Sequence, residues 1–144
     1  MRPYTLCYRG HFEEVVERMD RLESALREIE DGEIRRPELV VESNGEDKQL
    51  KMVLNALVTC EYGDWVGWSI KINAGRGRRE VFCRKADDEP RWVKLSESGL
   101  PVEIHSSAIL DRSEVMQIVE FTIDGNECSE FIRLCCLIVS RAVD

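Results

Sequence analysis

Apolar positions along the chain repeat with two different periods. From His11 to Asp31 they recur at steps of three and four, as Phe12, Val15, Val16, Met19, Leu22, Leu26 and Ile29. That spacing puts them on one stripe of a helix. Glu13, Glu14, Glu17, Asp20, Glu23, Glu28 and Glu30 occupy much of the rest, and Gly32 supplies a C-terminal stop. The pattern predicts one long helix with a solvated acidic face.

Beyond Pro37 the period falls to two. Glu38–Ser43 reads as a strand, and Asn44-Gly45 reads as a hairpin turn because both residues tolerate positive φ. On the return arm Leu50, Met52, Leu54, Ala56 and Val58 alternate, although Leu50, Val53, Leu54, Leu57 and Val58 also fit helical spacing. The turn before them favours strand. In Val66–Asn73, Trp68, Ile70 and Ile72 share one parity while Gly67, Ser69 and Lys71 share the other. That is a strand with one buried face. Ala74–Arg78 (AGRGR) reads as a turn, and Glu80–Lys85, Arg91–Leu95 and Pro101–His105 as further strands.

A second helix is predicted over Arg112–Asp124. Asp111 can cap it, Glu114 completes a capping box, Gly125 stops it, and Val115, Ile118 and Val119 form its apolar stripe. Ser129–Val139, rich in Ile, Val, Phe and Cys, is read as a buried final strand, with a helix still open on period alone. These elements predict an α+β fold: an antiparallel β-meander sheet packed by an N-terminal and a C-terminal helix, in one domain over 1–144.

Composition narrows the function. With 43% hydrophobic and 33% charged residues the chain reads as globular, and its formal net charge of -8 disfavours general nucleic-acid binding. The opening MRPYTLCYRGHFEEVV has no apolar signal region, and the longest apolar run is Leu134–Val139. A cytoplasmic protein without membrane contact is the expectation. The cysteines at 7, 60, 83, 128, 135 and 136 include no CxxC and sit largely among apolar neighbours. They read as buried reduced thiols, and neither a metal site nor a cofactor is expected.

Only two histidines occur, His11 and His105, and no HExxH, GxSxG or P-loop motif is present. The expectation is therefore a binding protein and not an enzyme. AGRGR lacks a GK[ST] ending. With Arg79, Arg84 and Lys85 it makes a basic cluster, either a small anion site or a counterweight to Asp87-Asp88-Glu89. Among the tryptophans, Trp68 has core parity, Trp65 has the opposite parity, and Trp92 follows the acidic loop. Glu61, Tyr62, Asp64, Trp65, Asp87, Asp88, Glu89 and Trp92 thus form a candidate partner-binding surface. Its acids would steer a basic protein and its aromatics would anchor it.

Ser106–Leu134, SSAILDRSEVMQIVEFTIDGNECSEFIRL, resembles the C-terminal part of bacterial immunity proteins that neutralise polymorphic toxins, of the type encoded beside deaminase and nuclease toxins. In that family a strand enters a helix, a Phe-x-x-x-Gly segment closes it, and a strand follows; Phe121 and Gly125 match that spacing. The resemblance implies a cognate toxin with a basic active-site surface as partner, inhibition by occluding that active site, and no catalysis by the inhibitor. The free protein is expected to be a monomer or a homodimer. Two alternatives stay open: a phage or mobile-element anti-defence inhibitor using the same acidic surface, and a small ligand-binding domain built on AGRGR and the acids near Trp92.

Overall fold

Strands from both ends of the chain meet in one sheet in the computed structural model, which describes residues 1–8, 12–32, 38–44, 50–74 and 77–143. The strands are β1 (Tyr4–Tyr8), β2 (Phe12–Val16), β3 (Glu38–Ser43), β4 (Lys51–Val58), β5 (Trp65–Ala74), β6 (Arg78–Arg84), β7 (Trp92–Glu97), β8 (Leu100–His105), β9 (Phe131–Cys135) and β10 (Ser140–Ala142). The helices are α1 (Met19–Glu30), α2 (Arg112–Ile123) and the single turn α3 (Cys136–Val139), with a 3₁₀ turn at Ser106–Ala108. Every strand pairing between these elements is antiparallel, and the class is α+β. No helix among the described residues is long and apolar enough to cross a membrane.

The meander runs from β3 through β6, and the return arm is a strand over Lys51–Val58. The sheet then forks. One edge of β4 pairs with β5 along Met52–Val58. Its other edge pairs with β3 over Lys51–Asn55 and then with β7 at Leu57 and Val58. Ser98 and Gly99 close the β7–β8 hairpin as a two-residue loop with φ of 52° and 83°. Positive φ at both positions is the turn geometry that matches strand twist, and Gly99 adopts it without Cβ strain.

The N-terminal reading needs correction. Phe12–Val16 belongs to a β-hairpin with β1, a strand the periodicity did not reveal, and α1 starts only at Met19. Phe12 and Val16 are four apart, which satisfies a helix stripe, but they are also of one parity, which satisfies a strand. Val15 shows the outcome, being 67% exposed while Val16 is buried. Glu14 has the parity of Val16, and it accepts a 2.7 Å hydrogen bond from Arg21 of α1. His11, Gly45 and the middle of AGRGR lie outside the described residues.

The C-terminal segment is corrected too. It is not one buried strand: β9 gives way to α3, whose Leu137 is 86% exposed and whose only buried residue is Val139. The second helix matches expectation closely. Asp111 accepts from the Glu114 backbone N–H at 2.8 Å and Glu114 returns the bond to the Asp111 N–H at 3.1 Å. Of the cysteines, Cys83 is buried and Cys60 is exposed.

Two apolar clusters hold the sheet. The larger joins α1 and α2 to Tyr4, Leu39, Leu54, Trp68 and Ile70. The smaller, containing Leu57, Val81, Cys83, Leu95, Ile104 and Val139, is formed by the end of β4, by β6–β8 and by the C-terminal turn. Between them the segment before α2 lies directly on β5. Trp68 and Leu110 exchange backbone hydrogen bonds at 2.7 and 2.8 Å. Gly67 permits this approach, since a Cβ there would lie 2.7 Å from Ile109 Cγ2 and 3.0 Å from the Leu110 carbonyl oxygen. Gly67→Ala must therefore displace the bridge. It is expected to cost about 1–3 kcal/mol, read as a fall of several degrees in Tm, and an unchanged Tm would contradict this packing.

Candidate functional site

The loop between β6 and β7 curls over a cleft of about 600 Å³. Asp87, Asp88, Glu89 and Arg91 form one side, and Val66, Val93, Ile109, Arg84 and Ser106 line the rest. Ser106 staples the loop. Its hydroxyl donates to Asp87 Oδ2 at 2.5 Å and accepts from the Arg91 backbone N–H at 3.1 Å. Its own backbone N–H donates to the Arg91 carbonyl at 2.8 Å. The Ser106 hydroxyl is the main reason the Asp87 carboxyl is held below the usual aspartate range. Asp87 is thus spent on shaping the loop, while Asp88 and Glu89 point their charge to solvent.

Arg84 sits at the floor with every polar reach taken. Its Nε and Nη2 bind the Glu114 carboxylate at 2.5 and 2.6 Å, and its Nη1 and Nη2 donate to the carbonyls of Ser106 and Ile109 at 3.1 and 2.6 Å. That bidentate pair raises its pKa further. Of the two roles considered for the basic cluster, Arg84 serves neither an anion nor chiefly the acidic loop; it ties β6 to α2. Among the described residues no group of three or more His, Cys, Asp or Glu is placed to hold a metal ion.

The aromatic stretch at the start of β5 divides sharply. Glu61, Tyr62 and Asp64 lie exposed in the β4–β5 turn, with Tyr62 80% exposed. The turn is braced by Thr59, whose hydroxyl and carbonyl accept from the Asp64 and Gly63 N–H groups at 3.0 Å each. Trp65 is half-buried against the larger core, on the same face as Trp68. Simple alternation assigned it to the opposite face. The difference is a β-bulge: Leu57 pairs with Gly67 but Val58 pairs with Trp65, so Val66 is an extra residue. The bulge turns Trp65 inward and presents Val66 to the cleft.

Glu30, at the end of α1, meets Arg112 at the start of α2 with a 3.3 Å ion pair. Its second oxygen and the indole N–H groups of Trp65 and Trp68 are buried without a hydrogen-bond partner. Burial pushes the Glu30 carboxyl above the ordinary glutamate range, against the pull of Arg112. Trp68 lies near enough to favour the ionised form without making a well-formed hydrogen bond.

Trp92, at the start of β7, is 38% exposed and stands apart from the cleft, which its neighbours Arg91 and Val93 line. Its ring meets His105 edge-on at 5.8 Å, and the Arg141 guanidinium lies over its face at 3.9 Å. Arg141 also pairs with Glu103 at 2.7 Å. Val66, Ser106, Glu103 and Arg141 had no local signal in the sequence, because the bulge and the strand register bring them here.

No family model matches the chain, and comparison with curated proteins and with solved structures returns no match.

Two outcomes follow. Ser106→Ala should let the Asp87 carboxyl titrate closer to the usual aspartate range, measured by side-chain NMR; an unchanged titration would rule out the staple. For Glu30, a raised native pKa means its stabilising contribution is complete at low pH and is lost as pH rises from the ordinary glutamate range through the raised value. The Tm of Glu30→Gln relative to the wild type should therefore climb with pH over that interval, and a relative Tm that falls would reverse the assigned balance.

Proposed function

We propose that this chain is a protein-binding inhibitor of the immunity type, which occupies the basic active-site surface of a toxin with its acidic and aromatic loop end. The observation that supports the reading best is spatial. Val66, one residue beyond Trp65, lines the same cleft as Asp87, Asp88 and Glu89, so the start of β5, directly after the β4–β5 turn, lies beside the β6–β7 loop. Together they offer solvent-facing Glu61, Asp64, Asp88 and Glu89 around exposed Tyr62 and Val66. Exposed rim acids accelerate encounter with a cationic partner, and a projecting Tyr supplies contact area at small entropic cost. The net charge of -8 adds long-range attraction of the same sign.

A second reading draws on the cleft itself. Its volume lies within the range of small-molecule sites, and its apolar walls face charged groups. A ligand there would raise Tm in proportion to its affinity, which a nucleotide and metabolite panel would detect.

Co-expression with the product of the adjacent gene tests the leading reading. Rescue of cells from that product and a one-to-one complex are expected. In that complex, Glu61→Gln, Asp64→Asn, Asp88→Asn and Glu89→Gln combined should slow association by on the order of tenfold at low salt and by less at high salt. Absence of any complex or rescue would sink the inhibitor reading.

A further inference from the structure

The geometry points to a guanidinium-binding seat on the outer face of β7 and β8, formed by Trp92, Glu103 and His105 and filled in the free chain by its own Arg141. This rests on the proposed function only for the identity of the incoming ligand, an arginine of a basic protein partner.

Strand register builds the seat. Trp92 lies directly across from His105, and Glu103 lies directly across from Arg141. These residues share one parity on their strands, while Val93, Val102 and Ile104 take the other and pack into the smaller core. The seat therefore faces outward. Its chemistry is shown by its occupant: the guanidinium stacks on the indole at 3.9 Å, and its Nη2 and Nε both reach Glu103 Oε2, at 2.7 and 2.8 Å. An aromatic face beside a carboxylate is the pairing that a planar, delocalised cation satisfies better than an ammonium does.

The occupant is held by a short element. β10 has three residues, all paired with β8, and the turn before it buries Val139 while leaving Leu137 and Ile138 exposed. Arg141 is also what stands between Trp92 and a cationic partner. A ring already stacked on one cation, with Lys94 two residues along the same strand face, is a poor anchor for a second cation. For Trp92 to serve a basic surface, the partner's arginine must replace Arg141, and β10 is the part that yields.

Removing the occupant tests this. In Arg141→Ala, arginine amide is expected to give a saturable change in tryptophan fluorescence in the millimolar range, stronger than lysine amide, and lost in Arg141→Ala combined with Trp92→Phe. The wild type should respond much less. Arg141→Gln, which keeps most of the side-chain volume, should behave as Arg141→Ala does, so a fold defect in one variant cannot imitate the result. With a cognate partner, Arg141→Ala should tighten binding by on the order of tenfold. Lys94→Ala, which removes the same charge from the same row, should tighten it less. Absence of a saturable response in both Arg141 variants, or equal gains from Arg141→Ala and Lys94→Ala, overturns the seat. The amide titrations need no partner, so their failure is distinct from failure of the inhibitor reading.

Discussion

The β4–β5 ladder is the constraint on which the rest of the molecule depends. Its two strands pair over seven register positions, from Met52↔Ile72 to Val58↔Trp65. Each outer edge then serves two different neighbours. β4 hands its edge from β3 to β7, and β5 hands its edge from the Leu110 bridge to β6. Antiparallel edges are interchangeable in hydrogen bonding, so something other than the backbone must decide where one neighbour stops and the next begins.

Side chains at the β4 fork provide that decision. Lys71 and Glu97 form a largely buried ion pair, and Ser69 donates to the second Glu97 oxygen at 3.0 Å. Ser98, in the hairpin loop, donates to buried Asn55 at 3.1 Å. These groups come from β4, β5, the end of β7 and the β7–β8 turn, and they meet only when Glu97 lies across from Leu57. Shifting β7 by one residue would send Glu97 to the opposite face and leave Lys71 buried without it. Leaving one buried charge unpaired costs several kcal/mol, far more than an intact pair contributes. The cluster thus acts through specificity: it penalises wrong registers more than it strengthens the right one.

The same distinction explains what the sequence made legible. Long, consistent periods translated directly: the meander from β3 to β6, the Asp111–Glu114 capping box and the α2 stripe all rest on local chemistry. Short segments that satisfied two periods did not. Phe12–Val16 fits helix and strand equally well, and the choice came from β1, whose pairing is a tertiary fact. Ser129–Val139 looked buried because it is apolar, yet Ile132, Leu137 and Ile138 lie exposed there. At the candidate surface, the exposed acids and Tyr62 were readable as residue types. Their meeting with Val66 was not, because one extra residue in β5 reverses the parity on which the reading of Trp65 depended.

That bulge also links the scaffold to the surface. Without it, alternation from Trp68 would place Trp65 outward and leave Val66 beneath the helices. With it, Trp65 joins the larger core beside Trp68, close to the point where Glu30 and Arg112 join α1 to α2. The β4–β5 turn is then rooted by a half-buried indole packed on the core instead of swinging on an exposed one. Rooting matters for binding because a loop ordered before encounter gives up less entropy on forming the complex. Trp65 therefore acts as the footing of the turn, and under the proposed inhibitor role the contact would fall to Tyr62 and Val66. Bulge, glycine approach and polar fork all act within this one ladder, so the candidate surface is positioned by the strand pair on which the sheet is built.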